Sequence, residues 1–196
     1  MTRRGLRIQD AQGYVLHASP WRETSLIVQC FTRDHGCVAL VAKGAKRPYS
    51  ALRPVLVAFQ PLLLSWSGAA EVHTLVRAES GPVRLMDGRA MMSAWYLNEL
   101  VLRLLAREDP HPGVYDAYEA ALDALSGAQP RPHAATLRRF EWLLLEQAGY
   151  GLDEPPPDFD DAAAEPALRQ ALRERLDQLL DTPLRTRQVL RDLQRY

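Results

Sequence analysis

The spacing of the apolar residues changes once along the chain, and this change limits the possible folds more than any other feature. Between residues 8 and 79, short runs rich in β-branched and aromatic residues are separated by turn signals such as Asp34-His35-Gly36. From residue 88 onward, apolar residues recur at the spacing of helices. The chain is therefore predicted to be an α+β protein, with strands in residues 1–80 and helices in residues 81–196.

Five short strands in the first 80 residues are typical of a small closed barrel. A five-stranded OB-fold is the natural candidate, although an SH3-like barrel fits the same pattern. The first strand is expected to break at Ser19-Pro20, and the fourth is expected to run from Val55 across Pro61 to Trp66. Trp21 and Trp66 are candidate rings for stacking on a base, although Trp66 ends an apolar run and is expected in the core.

The helical half is predicted to contain five helices. The first begins near residue 88 and is apolar on most sides, and the third covers about 134–148, followed by Gly149. Residues 153–165 combine acids with prolines and lack obvious apolar anchors, so they are expected to form an exposed linker. Two further helices follow, and the last is expected to pack through Leu184, Leu190 and Leu193.

The formal net charge of zero hides two halves of opposite sign. Residues 1–80 hold ten basic and five acidic residues, a balance of +5, and the remainder holds fourteen and nineteen, a balance of −5. Such halves suggest different partners for each. No apolar run approaches the roughly 20 residues that span a bilayer, so we expect a cytoplasmic protein with no membrane partner. Cys30 and Cys37 are expected to be small buried residues rather than a disulfide.

The sequence carries no recognisable catalytic motif. Lys43-Gly44-Ala45-Lys46 lacks the spacing of a phosphate-binding loop, and the five histidines are scattered. The acids of residues 153–161 fall in a linker rather than in a cleft that could use them for acid–base work. We therefore expect a non-enzymatic protein that needs no cofactor.

Residues 43–53 contain the most distinctive surface feature of the chain. The segment includes both lysines of the protein, two arginines and an aromatic side chain, namely Lys43, Lys46, Arg47, Tyr49 and Arg53. Cations suit phosphates and flat rings suit bases, although an exposed loop can also be basic merely because it is solvated. Arg22, Arg33 and Arg77, along with the N-terminal Arg3, Arg4 and Arg7, favour nucleic acid.

The order of several motifs resembles the RecO family of recombination mediators. The motifs occupy residues 13–17, 22–26, 42–45, 59–62 and 66–68 in the first half, and 96–100, 108–112, 137–141 and 149–152 in the second. This resemblance implies an OB-fold that binds single-stranded DNA and a helical domain that contacts partners. It implies strand annealing and, together with RecR, assistance in loading the recombinase onto strands coated by single-strand-binding protein.

The resemblance also implies that the acidic, hydrophobic tail of single-strand-binding protein is a ligand. An anionic apolar tail needs a hydrophobic groove with a cationic rim, so the candidate partner-binding residues are Arg138, Arg139 and Phe140. Family members often carry four cysteines for structural zinc after the motif at residues 149–152. Here Asp153-Glu154-Pro155 follows without a cysteine, so no zinc is expected.

Two other functions fit the residues without the resemblance. A basic barrel would also suit an OB-fold RNA-binding protein. The low net charge would suit an adaptor whose barrel binds protein, for which any DNA affinity would be absent or independent of salt.

Overall fold

The computed structural model describes residues 7–127 and 133–193, with side chains up to residue 189. It divides into two compact units, a barrel unit of residues up to 84 together with 106–112, and a helical unit of residues 85–105 and 113 onward. The predicted boundary at residue 80 stays a prediction. Arg3 and Arg4, and the side chains of Leu190 and Leu193, lie outside the described residues.

The barrel unit is built from five strands. They are β1 (Arg7–Trp21), β2 (Ser25–Thr32), β3 (Gly36–Ala42), β4 (Leu62–Ser67) and β5 (Val72–Ser80). They close in the order β1-β2-β3-β5-β4, with β3 and β5 parallel and the other neighbours antiparallel. The predicted OB-fold, a five-stranded closed barrel before a set of helices, is confirmed. Its core is formed mainly by alternate residues of these strands, among them Val28, Leu40, Leu64 and Trp66.

The strand β1 is longer than the sequence predicted because it pairs with two neighbours. Its first half pairs with β4 and its second half with β2, and Gly13 has a partner on each side. A Cβ at Gly13 would lie 3.0 Å from both Leu64 Cδ1 and Phe31 O. These distances are tight, so a glycine at this position lets β1 lie close to both β2 and β4. The predicted break at Pro20 is wrong, because Pro20 continues β1 opposite Leu26.

The predicted strand from Val55 to Phe59 is also wrong. These residues form turns, and regular pairing begins only at Leu62. Phe59 has a φ of +69°, which a β-strand does not accommodate. The alternation of apolar residues reflects side chains that anchor a loop to the barrel.

A return segment of residues 106–112 belongs to the barrel unit although it lies between two helices in sequence. The Glu108 amide donates to Cys37 O at 3.0 Å, and His73 Nε2 lies 3.0 Å from Glu108 Oε1. A Cβ at Gly36 would lie 2.1 Å from Asp109 O. The β2–β3 turn therefore requires glycine for this contact as well as for its φ of +65°.

The helical unit contains five helices. They are α1 (Gly88–Leu104), α2 (Pro112–Ser126), α3 (His133–Gln147), α4 (Glu165–Leu179) and α5 (Arg185–Leu193). Asp87 caps α1 by accepting from the Ala90 amide at 2.7 Å, and Gly149 follows α3 with a φ of +81°. The expectation that α1 is buried on most sides is only partly met, because Met91, Trp95 and Leu102 stay exposed along one stripe.

Candidate nucleic-acid interface

The cationic loop, which we define as residues 43–61, is held against the barrel by apolar side chains. Ala45, Leu56 and Phe59 are buried, and Leu52 and Val55 pack against the barrel core. Successive backbone hydrogen bonds link its turns, including Arg47 N to Gly44 O at 3.0 Å. The loop is thus an ordered platform, and its polar side chains are displayed from a fixed backbone.

The cations of this loop point away from the core. Lys43, Lys46, Arg47 and Arg53 are all exposed. The Lys46 amide donates to Thr24 O at 2.9 Å, which ties the loop to the β1–β2 turn. Arg22 lies in that turn, and Lys43 directly follows Ala42, which is paired with Leu26 of β2, so Arg22, Lys43 and Lys46 lie at the same end of the barrel.

These cations differ from other arginines of the barrel unit in their partners. Arg33 pairs with Asp34, Arg77 with Asp10 and Glu79, and Arg107 with Glu71. Among the residues that the structure describes, no carboxylate lies within ion-pairing distance of the four loop cations. Their charge is available to an external anion such as a phosphate.

Tyr49 stands at the tip of the loop with its side chain fully exposed, at 105%. Its φ of +65° is unusual for a bulky residue. An exposed ring among cations suits stacking on an unpaired base.

The second exposed aromatic residue of this surface is Trp21, whose ring the sequence offered as a candidate for stacking. Trp21 ends β1 opposite Ser25, is 44% exposed, and carries the Arg22 guanidinium 5.9 Å from its ring centroid. The β1–β2 turn therefore presents a ring and a cation beside the cationic loop. The sequence could not show that this ring lies beside Lys46, because the contact is set by the fold.

Arg33 does not join this group. It follows Thr32 at the far end of β2, and the eight residues of that strand separate it from the β1–β2 turn, to which Lys46 is hydrogen-bonded. At about 3.3 Å per residue, the distance between Arg33 and that turn is roughly 25 Å. The candidate interface therefore comprises Arg22, Lys43, Lys46, Arg47, Tyr49, Arg53 and Trp21, without Arg33.

The three predicted partner-binding residues on α3 have different environments. Phe140 is buried, and Arg138 is 7% exposed and donates to the buried Glu141 at 2.7 Å. Burial raises the pKa of Glu141 despite the opposing effects of Arg138 and of the Tyr96 hydroxyl. Arg138 and Phe140 therefore stabilise the helical unit, whereas Arg139 remains half exposed.

The cysteines are free and buried, as predicted from the sequence. Phe31, rather than Cys30, is paired with Cys37 across the β2–β3 hairpin. Burial raises the pKa of Cys37 to about 12, which makes its thiol a poor nucleophile. Within the described ranges, no three His, Cys, Asp or Glu side chains cluster as metal ligands would, and no helix is long and apolar enough to cross a membrane.

Comparison with protein families matches the two halves of the chain separately. The model described as Recombination protein O N terminal matches residues 6–81, and the one described as Recombination protein O C terminal matches residues 85–154. The chain belongs to the RecO family. The predicted resemblance is confirmed, and the first match covers the strands and the cationic loop.

Individual RecO relatives agree with this assignment. A protein named DNA repair protein RecO from Aromatoleum aromaticum is 58% identical over 147 residues, which are 74% of this chain and 60% of the relative. Its namesake from Azoarcus sp. is 54% identical over 148 residues, 75% of this chain and 60% of the relative. The one from Cupriavidus metallidurans is 51% identical over 148 residues, 75% of this chain and 49% of the relative. The chain thus aligns with between half and three fifths of their length.

Proposed function

We propose that this chain is a non-enzymatic mediator of recombinational DNA repair that binds and anneals single-stranded DNA. The observation that carries the proposal is the cationic loop, whose four exposed cations surround an exposed tyrosine and have no carboxylate partner among the described residues. Membership of the RecO family supports a role in DNA repair.

Single strands fit this surface better than duplex DNA. Phosphates of either form can be neutralised by lysine and arginine, but stacking on Tyr49 or Trp21 requires an unpaired base. Neutralising the phosphates also lowers the repulsion between two strands, which favours pairing when both are held near the surface. Annealing therefore needs no catalytic group or cofactor from the protein.

Partners in this proposal engage the helical unit. RecR and the tail of single-strand-binding protein would recruit the chain to coated DNA, where it assists loading of the recombinase. Arg139 is the exposed member of the predicted set and the one through which an acidic tail would bind, since Arg138 and Phe140 are buried.

A strand-annealing assay tests the proposal directly. Complementary oligonucleotides, bare or coated with single-strand-binding protein, should anneal faster with the chain present, and zinc or nucleotide should not be required. Failure to accelerate annealing of bare strands would exclude the proposed activity.

A binding competition separates the alternative functions. Single-stranded DNA and RNA of equal length should compete unequally, with DNA preferred, whereas an RNA-binding protein would prefer RNA. An adaptor would bind neither strand in a salt-dependent way.

A further inference from the structure

The segment after α3 contains an apolar anchor that its composition concealed. Residues 153–165 were expected to form an exposed linker, but the Phe159 ring lies 6.2 Å from the Trp142 ring at an interplanar angle of 73°. Phe159 is half-buried and Trp142 is 8% exposed. Such an edge-to-face pair is a favourable aromatic contact, so the segment is attached to α3.

Arg139 takes part in the same contact. Its guanidinium carbon lies 5.5 Å from the centroid of the Phe159 ring, and its NH2 group lies 3.3 Å from Asp160 Oδ2. A cation on α3 therefore receives an aromatic face and a carboxylate from one short stretch. We call residues 158–161, Asp-Phe-Asp-Asp, the acidic–aromatic segment.

Local hydrogen bonds shape this segment before α4 begins. Asp160 N donates to Asp158 Oδ1 at 3.0 Å, and Ala163 N donates to Asp161 Oδ1 at 2.8 Å. In this conformation, Phe159 contacts Trp142 and Asp160 contacts Arg139. The segment therefore lies on α3 as a peptide ligand would, although it belongs to the same chain.

The contacts are of the kind that a competitor can displace. The Arg139–Asp160 ion pair joins side chains that are 51% and 69% exposed, and such surface pairs contribute little. The segment is covalently tethered, however, so its effective concentration at the site is high. Binding of the segment to Arg139 and Trp142 of its own chain is thus favoured but reversible.

We propose that the acidic–aromatic segment covers the Arg139–Trp142 surface as a built-in competitor of an acidic partner peptide that carries an apolar side chain. This inference rests on the proposed function, because Arg139 is there the partner-binding cation. It adds that binding of the partner requires release of residues 158–161, which lowers its apparent affinity.

Fluorescence anisotropy with two labelled peptides tests the inference on the full chain. The first peptide reproduces residues 153–165 of this chain, and the second is the acidic C-terminal tail of single-strand-binding protein. The variant Phe159→Ala/Asp160→Asn removes the cis contact, and Asp153→Asn is the control, since it removes one carboxylate at an exposed position of the same linker. Releasing the site should tighten binding of both peptides about 5-fold, whereas the control should not change it.

The Arg139→Glu variant separates failure of the inference from failure of the proposed partner site. If Arg139→Glu weakens tail binding but the double variant does not strengthen binding of either peptide, the competitor role is refuted while the partner site stands. If Arg139→Glu leaves tail binding unchanged, the proposed partner site is refuted. In that case, tighter binding of the 153–165 peptide to the double variant would still establish occupancy in cis. Circular dichroism of each variant checks that its helix content equals that of the wild-type chain.

Discussion

The amide of Lys46 donates a hydrogen bond to the carbonyl of Thr24 at 2.9 Å, and this contact joins the cationic loop to the β1–β2 turn. Residues 22 positions apart in sequence thereby display their cations at one end of the barrel. Arg22 and Trp21 precede Thr24, and Lys43 precedes Lys46. A strand of DNA that crosses the loop would also cross the turn.

The first prediction concerns the loop cations. Replacing Lys43, Lys46 and Arg47 with alanine should weaken single-strand binding and flatten the dependence of log affinity on log salt by about two units, at roughly 0.7 per phosphate contact. The loss should be similar for all sequences, because phosphates carry no sequence information. Titrations at several salt concentrations measure both quantities.

Arg77→Ala is the matched control for this triple variant. Arg77 is an exposed arginine of the barrel, but it is already paired with Asp10 and Glu79. It should leave the salt dependence unchanged. A triple variant that keeps its affinity and its salt dependence would move the DNA path away from the cationic loop.

The second prediction separates stacking from charge. Tyr49→Ala and Trp21→Ala should each cost about 1–3 kcal/mol of binding free energy while the salt dependence stays constant. Tyr49 is fully exposed, so its loss should leave the melting temperature nearly unchanged. A Tyr49→Phe variant keeps the ring and should bind normally, and weak binding by that variant would argue against stacking.

The third prediction compares two adjacent arginines of α3. Arg138→Met should lower the free energy of unfolding by about 3–5 kcal/mol, because it leaves the buried Glu141 without its guanidinium partner. Arg139→Ala should change it by no more than about 0.5 kcal/mol, as expected of a half-exposed site. Urea unfolding followed by circular dichroism measures both. Equal stability of the two variants would contradict the structural role given to Arg138.

The fourth prediction concerns the N-terminus of α5. Glu99 on α1 accepts hydrogen bonds from the amides of Arg185 and Thr186 at 2.8 and 2.9 Å. Burial acts to raise the pKa of Glu99, but the hydrogen bonds from Thr186 and Arg185, together with the charge of Arg103, lower it overall. Glu99→Gln should therefore destabilise the helical unit at neutral pH by about 1 kcal/mol, as loss of a helix cap does.

The pH dependence of this effect has a definite sign. A carboxyl group whose pKa is lowered by folding stabilises the protein above its ordinary pKa of 4.5, and that stabilisation is lost as the pH falls through the lowered value. The wild-type chain and Glu99→Gln should thus converge in stability in strong acid. Glu146→Gln, at an exposed position on α3, serves as the control. A constant difference between pH 7 and pH 3 would show that ionisation of Glu99 does not contribute.

Much of the architecture follows from local sequence. The apolar, β-branched runs of β2 and β3, the turn at Gly36, the helical spacing after residue 88 and the glycine after α3 each specify their own element. The errors arose where tertiary contacts outweighed local signals. Pro20 continues β1 because a proline can sit in a strand where its missing amide is not needed, and Val55 and Phe59 anchor a loop although their spacing matches that of a strand.

The candidate sites likewise depend partly on local sequence and partly on tertiary contacts. The sequence determined by itself that a small five-stranded barrel would carry a basic loop with a tyrosine, because residue type and short-range spacing fix which side chains occur together. Only the tertiary structure placed Trp21 and Arg22 beside that loop, moved Arg33 to the opposite end of β2, and buried Arg138 while leaving Arg139 exposed. These outcomes depend on which distant segments meet and which carboxylates lie nearby. The contacts that set them, such as the hydrogen bond from Lys46 to Thr24, join residues far apart in sequence.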